Sequence, residues 1–108
     1  MIEAEVVRSL AALAHPVRLR VFRALVVAGS GGLTPGVMHD DTGVPPATLS
    51  FHLKELAAAG LVTQERASRH LIYRAVYERM NGLVDYLTTN CCQGADCGVD
   101  AAARTCDR

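Results

Sequence analysis

Apolar residues recur along most of this chain at three- and four-residue intervals, switch once to alternation, and then lose any period. Over residues 3 to 14, Val6, Leu10 and Leu13 keep helical spacing. Pro16 reads as the first residue of a second helix, where its missing N–H leaves no bond unmade. There Val17, Val21, Phe22 and Leu25 share one face, and Arg18, Arg20 and Arg23 are expected to meet water. The run Gly29-Ser30-Gly31-Gly32 ends that helix, since clustered glycine favours a turn. Thr34 and Pro35 supply the cap and first turn of a short third helix, which Gly43 closes in a left-handed conformation.

Pro45-Pro46 forces an extended entry into a fourth helix, residues 46 to 58, ending at Gly60. At 100° per residue, Leu49, Leu53 and Leu56 fall within about 60° of one another and form its buried stripe. Ala47, Phe51 and Lys54 lie nearly opposite, with Thr48, Ser50 and Glu55 on the shoulders. A core-facing helix has no structural reason to turn a Phe outward. Residues 61 to 66 and 70 to 76 then become strand-like, rich in Val, Ile, Thr and Tyr, around a polar tip at Arg66-Ala67-Ser68-Arg69. A last helix, residues 77 to 90, carries Met80, Leu83, Val84 and Leu87 on one stripe. Past Asn90 the chain is rich in small residues and has no period.

This order predicts a mainly α fold with a small β-hairpin, a winged helix-turn-helix. Residues 1 to 90 form the DNA-binding and dimerisation domain, and 91 to 108 form a tail. A chain of 108 residues has room for one core. No apolar run is long enough to span a bilayer. Glu3 and Glu5 fall where a secretory leader is basic, so a cytoplasmic protein without membrane contact is expected.

Eleven basic and eleven acidic residues cancel, which argues against a strongly basic, indiscriminate nucleic-acid binder. The distribution says more. Lys54, Arg66, Arg69 and Arg74 outweigh Glu55 and Glu65 in residues 46 to 76, whereas acidic residues prevail from 77 onward. One DNA-facing surface fits that asymmetry. In a helix-turn-helix the second helix enters the major groove and its N-terminal residues reach base edges. The fourth helix is therefore the candidate recognition helix for double-stranded DNA. Ala47 and Phe51 suit thymine methyls, Thr48 and Ser50 suit bases or phosphates, and Lys54 suits phosphate. His52 lies beside the leucine stripe and reads as packed or phosphate-bonding. Arg69 and His70 at the wing tip are candidate minor-groove or backbone contacts. The first and last helices present Val6, Leu10 and Leu13, and Met80, Leu83 and Leu87. So small a chain cannot cover both stripes, and a homodimer interface is the expected outcome.

All four cysteines lie past residue 90: Cys91, Cys92, Cys97 and Cys106. Clustered thiolates select soft, thiophilic metals or metalloids, and cytoplasmic cysteines stay reduced. Cys91, Cys92 and Cys97 make one candidate site, with Gly94 letting the chain fold back. Cys106 offers a fourth sulfur for zinc, cadmium or lead. A phosphatase-like arsenate reductase would need five residues between its cysteine and arginine. Cys97 and Arg104 have six between them, so no enzyme site is expected.

The blocks Leu13-Ala14-His15-Pro16-Val17-Arg18-Leu19-Arg20, Leu49-Ser50-Phe51-His52-Leu53-Lys54-Glu55-Leu56, Ala59-Gly60-Leu61-Val62 and Ile72-Tyr73-Arg74 resemble the ArsR/SmtB family of dimeric metalloregulatory repressors. The resemblance covers residues 3 to 90. One family site is a Cys-x-Cys pair in the third helix, where this chain has Val37-Met38-His39. Another uses acidic and His ligands along the last helix, where only Glu78 and Asp85 stand. What remains is similar to the arsenite-responsive members, whose three cysteines end the last helix. Trivalent arsenic takes three pyramidal thiolates, whereas zinc prefers four ligands. The resemblance implies an apo dimer that releases its operator on binding arsenite or antimonite, with no organic cofactor. Other readings on the same fold are a cadmium, lead, zinc or methylarsenite sensor, or a thiol redox switch.

Overall fold

Three helices begin on a proline, and the fold is laid out by those starts. The computed structural model describes residues 1–94. Helix α1 spans Glu3–Leu13, α2 Pro16–Ala28, α3 Pro35–Thr42 and α4 Pro46–Ala58. The hairpin β1 (Val62–Ala67) and β2 (His70–Ala75) follows, then α5 (Tyr77–Thr88) and a kinked turn at Cys91–Gly94.

Each boundary has a local cause. His15 caps α2, its ring Nδ1 accepting the Val17 N–H at 3.1 Å, a polar-cap role that a histidine seldom takes. Thr34 Oγ1 accepts the Val37 N–H at 3.4 Å and caps α3. Gly43 closes α3 at φ 74°, donating its N–H to His39 O at 2.8 Å. His39 Nδ1 donates to Val44 O at 2.7 Å, which fixes the turn between α3 and α4. Pro45 adopts an extended φ/ψ of −59°/147°, and α4 starts on the next residue.

Helix α2 is the centre of the packing, touching α1, α3, α4 and β2. Its Val21, Phe22 and Leu25 are buried with Met38 of α3 and the α4 stripe of Leu49, Leu53 and Leu56. Leu61, Val62, Tyr73 and Ala75 close the core from the wing, and Val6 and Leu83 close it from α1 and α5. The Tyr77 hydroxyl ties α5 to α2 by donating toward Val26 O at 3.1 Å.

The hairpin pairs antiparallel from Val62 with Ala75 to Ala67 with His70. Its tip is shorter than the sequence predicts. Arg66 and Ala67 are strand residues, and only Ser68 and Arg69 turn, because Ser68 takes the left-handed conformation at φ 59°. Arg74 braces the wing, its guanidinium reaching Glu65 at 2.6 Å and Ser30 O at 2.7 Å. None of the described helices is long and apolar enough to cross a membrane.

Candidate nucleic-acid interface and thiol site

With Leu49, Leu53 and Leu56 buried, the opposite face of α4 must point away from the core. Ala47, Thr48, Ser50, Phe51 and Lys54 are all exposed there, and Phe51 keeps 56% of its surface open. At the wing tip Arg69 and His70 are exposed. Five of the six helix residues read as DNA contacts therefore share one accessible face, with the wing contributing two more.

Of its two readings, His52 takes the packed one: it is 5% exposed and closed in by neighbouring helices. Its Nδ1 accepts a hydrogen bond from Arg18 Nε at 3.1 Å. The ring of His15 lies 4.6 Å away, tilted by 49°, and Phe51 meets His52 edge-on at 5.3 Å. Burial, then repulsion from His15 and Arg18, push the His52 pKa below its ordinary 6.5, with Glu55 acting the other way. Arg18 is a correction. Rather than meeting water like Arg20 and Arg23, it bonds His52 and holds its guanidinium carbon 5.6 Å from the Phe51 ring centre. The signal available in the sequence was slight: an arginine early in α2 and a histidine beside the leucines of α4.

The predicted interface residues divide. Val6 and Leu83 are buried within the protomer, at 3% and 6% exposure, and Leu13 and Met80 pack half-buried against the same core. Val6 and Leu83 hold α1 and α5 to the domain. Leu10 and Leu87 remain open, as do Val7 on α1 and Val84 and Tyr86 on α5, with Ile2 exposed just before α1. A helix stripe wide enough to serve both an inner and an outer contact cannot be divided by spacing alone.

Cys91 and Cys92 follow α5 after two intervening residues, Cys91 half-buried and Cys92 exposed. Asn90, Cys92 and Gln93 all take positive φ, between 54° and 58°, which turns the chain sharply off the helix axis. Cys97 and Cys106 lie outside the described residues. Among the described residues no three His, Cys, Asp or Glu side chains gather into a metal-holding group. At the α3 position used by other metalloregulators, Met38 is wholly buried and His39 is engaged with Val44 O.

Exposed recognition helix, buried leucine stripe and braced wing define a DNA-binding winged helix-turn-helix. A helix-turn-helix domain family matches residues 13–65. The HTH-type transcriptional regulator YgaV of Escherichia coli is 28% identical over 77% of this chain and 82% of its own length. Among solved structures, the transcriptional repressor BigR from Xylella fastidiosa superposes with a TM-score of 0.64 at 32% identity, covering 80% of this chain and 85% of that one. A homodimeric winged helix-turn-helix DNA-binding domain from Mycobacterium bovis, described as a possible ArsR-family regulator, gives 0.63 at 26%, covering 87% of each. The chain thus carries a helix-turn-helix domain and is similar in sequence and fold to DNA-binding transcriptional regulators, some of them described as ArsR-like.

Proposed function

We propose that this regulator is an arsenite- and antimonite-responsive repressor of the cytoplasm. As an apo homodimer it binds operator DNA through α4 and the wing, and it lets go when Cys91, Cys92 and Cys97 take the metalloid. The observation that carries the reading is the vicinal pair Cys91-Cys92 just past the end of α5, with Cys91 four residues after Leu87 of the open apolar face. Three thiolates within seven residues match the three-ligand preference of trivalent arsenic.

Two-fold pairing through the outer faces of α1 and α5 would cover Leu10, Leu87 and their neighbours. It would also set two recognition helices one turn of DNA apart, roughly 34 Å. Drawing Cys97 back onto Cys91 and Cys92 reorganises the end of α5 and shifts that spacing. Release needs the metalloid to favour the DNA-incompetent arrangement, and coupling of about 1–3 kcal/mol is typical for such regulators. The repressor from Xylella and the homodimeric domain from Mycobacterium support the DNA and dimer parts of the reading.

The test is a release titration on a duplex that the protein itself selects from a random pool. Arsenite and antimonite should displace the protein at concentrations where zinc and cadmium do not. Displacement by mild peroxide alone, with no response to arsenite, would replace metalloid sensing with a thiol redox switch.

A further inference from the structure

We infer that Arg18 is a positioning residue for operator recognition, acting through Phe51 and held in place by His52; the inference rests on α4 being the recognition helix. Arg18 sits near the start of α2, outside the recognition helix, and its charge would ordinarily be left to water. Instead its Nε is committed to His52 Nδ1 at 3.1 Å. An acceptor role for Nδ1 requires that ring nitrogen to be bare, so His52 is neutral with its proton on Nε2. The bond leaves one side of the guanidinium facing Phe51, with the carbon 5.6 Å from the ring centre, within the range of a cation–ring attraction.

Phe51 would otherwise be a mostly exposed side chain with freedom about two torsions. Two neighbours restrict it: His52 edge-on at 5.3 Å and Arg18 at its face. Position matters for an apolar reader. A thymine methyl is recognised by contact alone, with no hydrogen bond to pull the side chain into place. A ring pre-set by Arg18 loses less rotamer freedom when it enters the groove, and that saving is realised only where a methyl awaits it. Arg18 therefore adds to discrimination between sequences more than to affinity for DNA in general.

His15 completes the support. Its ring lies 4.6 Å from that of His52, and its own Nδ1 is fixed as the α2 cap. The end of α2 that carries Arg18 is thus anchored at the histidine it must reach.

The experiment compares binding to the pool-selected duplex with binding to unselected pool DNA, by anisotropy at several salt concentrations. Arg18→Ala should lower the ratio of the two affinities about fivefold, the low end for one base contact, and leave the salt slope unchanged. His52→Leu should do the same, whereas His52→Asn, which keeps an acceptor near Nδ1, should retain most of the ratio. Arg18→Ala combined with Phe51→Ala should discriminate no worse than Phe51→Ala alone. Arg18→Lys keeps the charge and much of the stem, and stands in for Ala if melting shows the alanine variant unfolded; it too should lose discrimination. Equal weakening on both DNAs with a shallower salt slope would make Arg18 a phosphate contact and overturn the inference. Additive losses in the double variant would overturn it as well. A wild type with no preference for its selected duplex would remove the recognition-helix reading itself, a result distinct from either.

Discussion

Leu33 and Tyr73 exchange both backbone hydrogen bonds, each 2.9 Å, and so add a one-residue third strand beside β2 of the wing. Gly32 makes this approach possible. It sits at φ 71°, and a Cβ there would fall 2.6 Å from Tyr73 O and 2.7 Å from Ile72 Cγ2. Gly32→Ala should therefore cost more than about 1 kcal/mol, from strain and from pushing the strand away. Gly31→Ala is the control, since a Cβ at Gly31 meets nothing within 4 Å. Matching chemical-denaturation midpoints for the two variants would count against the bridge.

Lys54 and Arg69 should behave as phosphate contacts. Replacing either with Ala is expected to weaken selected and unselected duplexes alike and to reduce the salt slope by roughly 1 each. Ser50→Ala should instead reduce discrimination, by about 1–3 kcal/mol if the hydroxyl makes a good base contact. Salt-dependent anisotropy separates the two behaviours. If Ser50→Ala preserves the preference for the selected duplex, Ser50 does not read a base.

Leu10→Glu with Leu87→Glu should give a folded monomer, because both side chains are open in the protomer, at 41% and 62% exposure. Light scattering reads the mass and circular dichroism the helix content. Val6→Ala should act differently: it deletes core methyls and should cost about 1–2 kcal/mol without altering the mass of the folded species. A double glutamate variant that stays dimeric would move the interface elsewhere.

Stability should fall with acid through His52. Its native pKa lies below the unfolded value of 6.5, so the unfolded chain binds the extra proton first. The contribution is complete above 6.5 and is lost as pH drops below it toward the native value. Urea midpoints from about pH 7.5 to about pH 5 should decline, and the decline should be smaller in His52→Asn. Equal slopes in the two proteins would show that His52 is not the titrating group.

Caps and stripes were the legible parts of this fold. Thr34, Pro35 and Gly43 bound α3 by local chemistry, and Leu49, Leu53 and Leu56 keep a spacing that only one helix face satisfies. What stayed hidden depends on partners remote in sequence. Arg18 meets a histidine 34 positions away, and an isolated cation on a helix defaults to solvent. Val6 and Leu10 lie four residues apart on the same stripe, yet one is buried by the protomer's own core and the other is left open. Helical period identifies such a stripe without saying which edge of it faces the neighbouring helix. Ser68 shortens the hairpin by adopting a conformation that serine, unlike glycine, does not announce.

Cys91→Ser, Cys92→Ser and Cys97→Ser should each leave apo DNA binding intact and abolish release by arsenite. Neither Cys91 nor Cys92 belongs to the recognition helix or the wing, since both follow α5, so loss of a thiol there should not disturb the DNA-facing surface. Serine keeps the size and removes the soft donor, and two thiolates hold trivalent arsenic far less firmly than three. Cys106→Ser should respond like the wild type, because a three-coordinate metalloid has no use for a fourth sulfur. Zinc or cadmium would want that fourth ligand, so the same variant should matter more for them. Anisotropy on the selected duplex with arsenite added stepwise gives all four responses in one assay. Retained release in Cys97→Ser, or release lost only in Cys106→Ser, would rule out the three-thiolate site.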